Sequence, residues 1–355
     1  MKDNKVIKIL ILYTAFIGIL GIISKDAEIS KTERRKLKQA PVLNYEKLSS
    51  GTYFTELNDY VQDQIFARDI FRKIKGVTSK YLFNIKEENG VYEKDGYLFE
   101  IARTSENSLD YFVSKINEIN KEFKSNVYFV KVPDKEYYEE GIIKKDYELI
   151  DEKLKGLDKS IKRIDISDVL SLDDYYKTDI HWKNNKLGKV TDKIKKEMGL
   201  DSKASSYTEK VLSPFYGALY GRRVSSVSAD EIVYLTNEVI ENMRVYNYEK
   251  DKEDKVYNDD YFHNIDSYDV FLGGATPALR IVNNSVDDKK LIVFRDSYGS
   301  SIIPFLAENY HEVLVIDLRY VKFDNLKSLD IDLGDANDVL FMYSINVINN
   351  SFSLK

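Results

Sequence analysis

The sequence predicts an α/β fold built on a sheet of mainly parallel strands with flanking helices. Apolar residues recur at helical spacing over 108–123, and a β-branched strand, NVYFVKVPD, follows at 126–134. The C-terminal part repeats the alternation as strand, helix, strand and strand, in KLIVFRD (290–296), SSIIPFLAENY (300–310), EVLVIDLRY (312–320) and DVLFMYSIN (338–346). This order of elements calls for parallel strands joined by right-handed crossovers.

Composition limits both the fold and the function. The 355-residue chain is 43% hydrophobic and 13% aromatic, which supplies enough apolar material for a packed core. A net charge of −6 argues against a general nucleic-acid binder, because no surplus of positive charge is present to neutralise phosphates. Without cysteine there is no disulfide and no thiolate nucleophile, and three scattered histidines do not suit a His-rich metal site. We therefore expect no metal and no cofactor.

The N-terminal residues predict a membrane anchor. An apolar stretch, ILILYTAFIGILGII (9–23), follows three basic residues, Lys2, Lys5 and Lys8. As a helix it is just about long enough to cross the hydrocarbon core of a bilayer. A secretory signal has the same layout, but GIISKDAEIS offers no convincing small-x-small cleavage site. Basic residues lie on both sides, so counting them does not decide the orientation. We expect 1–24 to be an uncleaved single-pass anchor in the cell membrane, with the body of the protein outside the cytoplasm.

Beyond the anchor, the pattern divides the chain into three further segments. Residues 25–50 are charged and irregular, which predicts a stalk, and 51–89 carry apolar residues at helical spacings, which predicts a helical arm. Residues 90–355 form the main domain. It begins with GVYEKDGYLFE, a predicted hairpin turning at Asp95-Gly96. Within it, 200–265 is polar and tyrosine-rich, and we interpret it as an insertion of weak strands and loops.

Two short motifs carry the residue types needed for acyl transfer through a serine. In LIVFRDSYGS (291–300), Ser297 lies where an apolar strand gives way to a helix, a turn that exposes a side chain and points backbone N–H groups at it. In TDIHW (178–182), His181 and Asp179 supply a base and its orienting acid if the loop folds over the sheet edge. Each motif has an ordinary alternative, namely Ser297 as a helix N-cap and His181 as a surface or packing histidine.

In this order, TDIHW, FRDSYGSSIIPFLAENY and VIDLRY resemble the motifs of the DHHW-motif proteins. These are relatives of the alginate O-acetyltransferase proteins, a permuted branch of the SGNH (GDSL-like) hydrolase superfamily. The resemblance extends to NGVYEKDGYLFE, SPFYGALYG and YDVFLGG, and so covers most of 40–350. It implies an SGNH-hydrolase-like catalytic domain in which Ser297 is the nucleophile, His181 the base and Asp179 the residue that orients the base.

Two positions depart from the family pattern. Ile180 occupies the second position of the DHHW motif, and Arg295 stands where the superfamily has the glycine of Gly-Asp-Ser. Neither change removes a member of the predicted triad. Trp182 is expected to pack beneath the loop as its hydrophobic anchor, and stacking on a sugar is the less favoured alternative.

The resemblance also suggests residues that bind the developing negative charge or the substrate. Asn346 follows a late strand, where SGNH enzymes place an oxyanion-binding asparagine, although it also suits a strand-ending turn. Gly273 or Gly274 offers a backbone N–H, or serves as an ordinary turn glycine. Arg319 ends a neighbouring strand, from which it reaches a sugar or acyl oxygen or, alternatively, pairs with Asp317.

The resemblance implies an extracytoplasmic O-acyltransferase that O-acetylates a cell-surface or secreted polysaccharide. The acetyl donor is expected from a membrane-bound O-acyltransferase partner, since the resemblance implies such a pairing and the sequence shows no CoA-binding feature. Two alternatives remain open. One is a carbohydrate acetyl-esterase that uses the same triad with water as the acceptor. The other is a non-catalytic surface protein that only binds a glycan or a membrane partner.

Overall fold

The computed structural model describes residues 3–30, 32–201, 206–223, 225–329 and 331–355. Its strands are β1 (Ile29–Ser30), β2 (Arg35–Lys36), β3 (Glu87–Glu88), β4 (Val91–Lys94), β5 (Tyr97–Glu100), β6 (Asn126–Val132), β7 (Ile161–Asp165), β8 (Thr208–Phe215), β9 (Asp230–Thr236), β10 (Arg244–Asn247), β11 (Lys252–Asp254), β12 (Ala278–Val282), β13 (Lys290–Arg295), β14 (Glu312–Ile316) and β15 (Asp338–Ser344). Its α-helices are α1 (Asp3–Ile23), α2 (Tyr45–Ser49), α3 (Thr52–Gln64), α4 (Arg68–Tyr81), α5 (Glu106–Asn120), α6 (Tyr147–Leu154), α7 (Gly188–Glu197), α8 (Ala218–Arg222), α9 (Glu238–Asn242), α10 (Gly299–Ala307) and α11 (Ile345–Ile348).

An eight-stranded sheet in the order β11-β10-β12-β14-β13-β15-β6-β7 organises the main domain. Five neighbouring strands of this sheet pair in parallel, namely β14, β13, β15, β6 and β7. The other three, β12, β10 and β11, extend the sheet in antiparallel orientation. The predicted α/β class is therefore confirmed, but the sheet is mixed rather than mainly parallel. For β10 and β11 the physical reason lies in their connection, because a short turn permits only antiparallel pairing. Both strands come from the polar segment 200–265.

The sequence of the central strand β13 is continuously apolar because both faces of the strand are buried. Leu291 and Val293 face one buried cluster, which α7 and α10 cover, while Ile292 and Phe294 face a second cluster beneath α5 and α6. Successive side chains of a strand point to opposite faces, so a strand covered on both faces is apolar at every position. Because β14, β13, β15 and β6 pair in parallel, their carboxyl ends meet at one edge of the sheet.

The N-terminal residues form α1, although Met1 and Lys2 of the predicted anchor lie outside the described residues. Across the part of the chain that the structure describes, no helix combines the length and the apolar character needed to cross a bilayer. The prediction of a transmembrane helix at 1–24 is therefore not supported.

The segment expected to be a stalk contains a short hairpin that packs against the helical arm. We call β1 and β2, with the turn residues Thr32, Glu33 and Arg34, the N-terminal hairpin. Arg35 donates from Nη1 to Oδ2 of Asp63 in α3 at 2.7 Å. Glu33 forms ion pairs with arginines of α4, among them Arg72 at 3.2 Å. The hairpin is thus fixed to α3 and α4 by charged side chains.

We expect Leu340→Ala to destabilise the fold by about 2–5 kcal/mol, because the substitution leaves a cavity in a dry core. Leu340 is fully buried in β15, between β13 and β6. The matched control is Val211→Ala, at a side chain that is 54% exposed in β8, which should change the free energy of unfolding by less than about 0.5 kcal/mol. Urea unfolding of both variants measures the difference, and equal effects would contradict the position assigned to Leu340.

Candidate active site

Ser297 lies at the carboxyl edge of the sheet, in the turn between β13 and α10. The turn is closed by the carboxylate of Asp296, whose Oδ1 accepts the backbone N–H of Tyr298 at 3.0 Å. Its Oδ2 accepts the N–H of Ser344, at the end of β15, at 2.7 Å. Asp296 therefore ties the turn to the neighbouring strand. Ser297 is half-buried, and the residue at the N-cap position of α10 is Tyr298, so Ser297 does not cap this helix.

The loop 178–182 brings His181 and Asp179 to Ser297, across 116 residues of sequence between the histidine and the serine. Nε2 of His181 lies 2.7 Å from Oγ of Ser297, and Nδ1 lies 2.5 Å from Oδ1 of Asp179. A carboxylate only accepts hydrogen bonds, so Nδ1 carries the proton and Nε2 is left to accept the hydrogen of the serine hydroxyl. The expected proximity of the three side chains is observed.

Asp179 is a fully buried carboxylate held by four donors. Besides the imidazole, Oδ1 accepts the backbone N–H of His181 at 3.0 Å, and Oδ2 accepts the N–H of Ala218 at 2.7 Å and Nη1 of Arg34 at 2.9 Å. Burial by itself raises the pKa of Asp179, but the charge and hydrogen bond of His181, together with Arg34, hold that pKa well below its usual range. Asp179 is therefore an anion at neutral pH.

Two buried charged residues hold the backbone of this loop. Lys135, in the turn after β6, donates from Nζ to the carbonyls of Tyr176 at 2.9 Å and Asp179 at 2.7 Å. Burial lowers the pKa of Lys135 from its ordinary value. From the other side, Asp230 at the start of β9 accepts the backbone N–H and the hydroxyl of Thr178, at 2.7 and 2.6 Å. The loop is thus fixed by its main chain as well as by the side chains of the triad.

Aromatic rings pack below and beside the imidazole. Trp182 is fully buried, and its indole N–H donates to the carbonyl of Tyr298 at 3.1 Å and to Oγ of Ser301 at 2.9 Å. It anchors the loop on α10, as expected. Tyr268 stacks on His181, with ring centroids 3.9 Å apart and an angle of 8° between the planes. These contacts restrict rotation of the imidazole.

Two of the other candidates from the sequence, Arg319 and Gly274, have structural partners. Arg319 forms a bidentate pair with Asp317, with Nε–Oδ1 at 2.9 Å and Nη2–Oδ2 at 2.6 Å, which is the pairing alternative considered above. Gly274 donates its N–H to the carbonyl of Phe271 at 3.2 Å. Gly273 and Gly274 both have positive φ, of 68° and 76°, as turn glycines do. The structure therefore does not leave the N–H of Gly274 free to bind an oxyanion.

Asn346 differs from these candidates because its amide is unpaired. It lies in α11, which follows β15, and β15 is the parallel neighbour of β13. Both Nδ2 and Oδ1 of Asn346 are buried and have no hydrogen-bond partner among the described residues. A buried polar group without a partner costs about 1–3 kcal/mol. Asn346 thus follows the strand next to β13 with an amide that no described residue satisfies.

The two departures from the family pattern, Arg295 and Ile180, are accommodated by burial and by contacts with neighbouring residues. Arg295 is 1% exposed, and its Nη2 donates to the carbonyl of Gly274 at 3.2 Å. Ile180 is partly buried against two apolar clusters, and its carbonyl accepts the hydroxyl of Tyr298 at 2.5 Å. Neither side chain takes the place of a triad member.

The fold and site define an α/β protein that carries a Ser–His–Asp arrangement at the carboxyl edge of its sheet. The model of the DHHW protein family matches residues 169–316, which include all three of these side chains. The resemblance is therefore confirmed for this part of the chain.

Solved structures share the fold over about three quarters of the chain. A DHHW family protein from Eubacterium siraeum DSM 15702 is 21% identical, with a TM-score of 0.62, and the match covers 75% of this chain and 94% of that one. PatB1 of Bacillus cereus, solved with a sulfonyl adduct, is 20% identical with a TM-score of 0.58, covering 73% and 95%. No curated protein gives a significant match.

Gly217 is a site residue that the sequence patterns did not single out, and it yields a prediction. A Cβ at Gly217 would lie 2.2 Å from Cβ of Asp179 and 2.5 Å from its Oδ2. We expect Gly217→Ala to displace Asp179 and to cost about 1–3 kcal/mol of stability, as overpacking does. The control is Gly188→Ala at the start of α7, where a Cβ meets nothing within 4 Å. Urea unfolding of both proteins checks the difference, and equal stability would show that the loop gives way freely.

Proposed function

We propose that this protein is an O-acyltransferase that moves an acetyl group onto a hydroxyl of a cell-surface or secreted polysaccharide. The observation that carries the proposal is the unbroken hydrogen-bond series from Ser297 through His181 to Asp179, at 2.7 and 2.5 Å. The resemblance to relatives of the alginate O-acetyltransferase proteins supports acetyl as the transferred group and a polysaccharide as the acceptor.

In the first half of the reaction, Oγ of Ser297 attacks the carbonyl carbon of the acetyl donor, and Nε2 of His181 takes the hydroxyl proton. The imidazolium formed in this step lies beside the carboxylate of Asp179, which stabilises the new positive charge. Collapse of the tetrahedral intermediate breaks the bond to the leaving group, which receives the proton from His181. The product is an acetyl ester on Ser297.

The negative charge on the intermediate requires hydrogen-bond donors fixed in advance. The backbone N–H of Ser297 is the first candidate, because it belongs to the same turn as the nucleophile. The unpaired amide of Asn346 is the second, because its Nδ2 is buried at the same edge with no competing acceptor among the described residues. Donors of this kind contribute about 10²–10³ in rate.

In the second half, a sugar hydroxyl gives its proton to His181 and attacks the acetyl carbon, and Ser297 regains its proton from the imidazolium as the ester forms on the sugar. Water in place of the sugar would produce an esterase, so access of the acceptor decides between the two activities. The proposal includes a location outside the cytoplasm, where such a polymer is found. It also includes a membrane-bound O-acyltransferase partner as the source of the acetyl group, as the resemblance implies.

We expect Ser297→Ala to abolish formation of the acetyl-enzyme, with a rate loss of about a thousandfold or more, because no hydroxyl remains to attack. The assay is release of p-nitrophenol from p-nitrophenyl acetate, with mass spectrometry of the acid-quenched protein to locate the acetyl group. Ser300→Ala is the matched control, since Ser300 is a buried neighbour whose hydroxyl has no partner among the described residues. Acetyl transfer by the Ser297→Ala protein at the wild-type rate would end the proposal.

The sulfonyl adduct described for PatB1 suggests a second probe of the same serine. Phenylmethylsulfonyl fluoride reacts with activated serine hydroxyls, so it should label Ser297 in the wild type. Labelling should be lost in His181→Gln, because the base is absent, and retained in His263→Gln, which alters an exposed histidine. Labelling at another serine would place the reactive hydroxyl elsewhere.

Acceptor dependence tests the transfer step. With p-nitrophenyl acetate as donor, we expect added oligosaccharide to raise the rate of deacetylation of Ser297 and to become acetylated itself, because a bound sugar hydroxyl replaces water. Thin-layer chromatography and mass spectrometry of the oligosaccharide measure the product. Hydrolysis that is unaffected by every oligosaccharide offered would favour the esterase over the transferase.

A further inference from the structure

Arg34 brings a positive charge from the N-terminal hairpin to the acid of the triad. Its Nη1 donates to Oδ2 of Asp179 at 2.9 Å, and its Nη2 forms an ion pair with Asp266. The side chain of Arg34 is 11% exposed, and that of Asp179 is fully buried. This is a desolvated, hydrogen-bonded pair, and contacts of this kind are stronger than ion pairs at a protein surface.

Three carboxylates, those of Asp179, Asp266 and Asp269, surround the guanidinium of Arg34. Asp266 lies on the other side of the Arg34 guanidinium, and Asp269 is close enough for its ionisation to respond to both. Burial, followed by the charge of Asp266, raises the pKa of Asp269 to about 7, and Arg34 opposes that rise. Without Arg34, Oδ2 of the buried Asp179 carboxylate would keep one donor, the main-chain N–H of Ala218, and the charge that joins Asp179 to Asp266 would be lost.

The backbone around Arg34 is built to hold this contact. Arg34 has a φ of 54°, a conformation that is costly for a side chain of this size and that persists where the surrounding structure enforces it. The hairpin is pinned to α3 by Arg35 and Asp63. It also lies against α8, where a Cβ at Gly221 would meet the carbonyl oxygen of Glu33 at 2.9 Å. The first N–H of α8 is the one that Asp179 accepts, so the hairpin and α8 cover the carboxylate together.

We propose that Arg34 is a positioning residue for acyl transfer, which makes the N-terminal hairpin a part of the active site. Its guanidinium keeps Asp179 ionised and fixes Oδ2, so that Oδ1 is aligned with Nδ1 of His181. Arg34 acts through Asp179 and does not touch the reacting atoms. The inference rests on the proposed function and adds to it a requirement that lies 145 residues upstream of the acid.

The test compares Arg34→Ala, Arg34→Lys and the control Arg35→Ala in the full chain, with p-nitrophenyl acetate as the substrate. Arg35 is the first residue of β2, next to Arg34, and binds Asp63, so its loss loosens the hairpin without removing a partner of Asp179. We expect Arg34→Ala to lower kcat about ten- to a hundredfold with KM little changed, because the contact serves the transition state more than substrate binding. Arg34→Lys keeps the charge but cannot bridge both acids, so it should fall between the wild type and the alanine variant.

Chemical rescue separates positioning from a purely structural role. Guanidinium chloride, added at concentrations well below those that unfold the chain, should restore part of the kcat of Arg34→Ala and leave that of Arg35→Ala unchanged. Circular dichroism verifies that each variant is folded, and Arg34→Lys carries the test if the alanine variant is not. A folded Arg34→Ala or Arg34→Lys protein with wild-type kcat overturns the inference. A loss that guanidinium does not restore, equal to the loss in Arg35→Ala, overturns it as well.

The two proposals fail in distinguishable ways. If Ser297→Ala retains activity, the proposed function fails whatever Arg34 does. If Ser297→Ala is inactive and the Arg34 variants are fully active, the proposed function stands and Asp179 is held sufficiently by His181 and Ala218.

Discussion

The negative charge buried on Asp179 is the constraint around which the site is organised. A fully buried carboxylate is stable only if hydrogen bonds and a positive charge replace its hydration. Here the donors are the imidazole and main chain of His181, the N–H of Ala218 and the guanidinium of Arg34. Two of these four donors belong to His181, and the other two come from distant parts of the chain, Ala218 and Arg34. The contacts that fix the carboxylate therefore also fix the loop, α8 and the N-terminal hairpin relative to one another.

The loop that carries Asp179 and His181 has no regular secondary structure of its own, so its shape depends on the elements that contact it. Lys135 binds its carbonyls from the end of β6, and Asp230 binds its N–H groups from the start of β9. Trp182 fills the core beneath it. These contacts hold the loop in place, which a base needs if it is to stay within hydrogen-bond reach of its nucleophile.

The parallel half of the sheet explains why the reactive groups are found together. Ser297, Lys135, Asp317 and Asn346 each follow the carboxyl end of a strand in the set β13, β6, β14 and β15. Strands that run in parallel deliver these ends to one edge, the usual place for sites in α/β proteins. The antiparallel strands β12, β10 and β11 widen the sheet on the far side of β14 and take no direct part in the triad.

The sequence by itself determined the features that depend on local patterns. The apolar run of β13, the turn at Ser297 and the pairing of an acid with a histidine two residues away are all encoded within a few positions, because strand burial and turn geometry are properties of neighbouring residues. Those patterns, with the family resemblance, placed Ser297, His181 and Asp179 correctly together. They also predicted Trp182 as the anchor of the loop.

Only the tertiary structure decided the remaining features. The contact of Arg34 with Asp179 joins residues 145 positions apart, and nothing in the charged segment 25–50 marks one arginine as different from its neighbours. The antiparallel extension by β10 and β11 was hidden because these short, polar strands lack the period that reveals a half-buried strand. For Arg319 the sequence left open a substrate oxygen or Asp317, and for Gly274 an oxyanion donor or a turn glycine; the structure pairs Arg319 with Asp317 and Gly274 with Phe271. Which distant residues pair depends on how buried charged and polar groups find partners once the core has formed. Such pairs cannot be recognised from the pattern of neighbouring residues in the sequence.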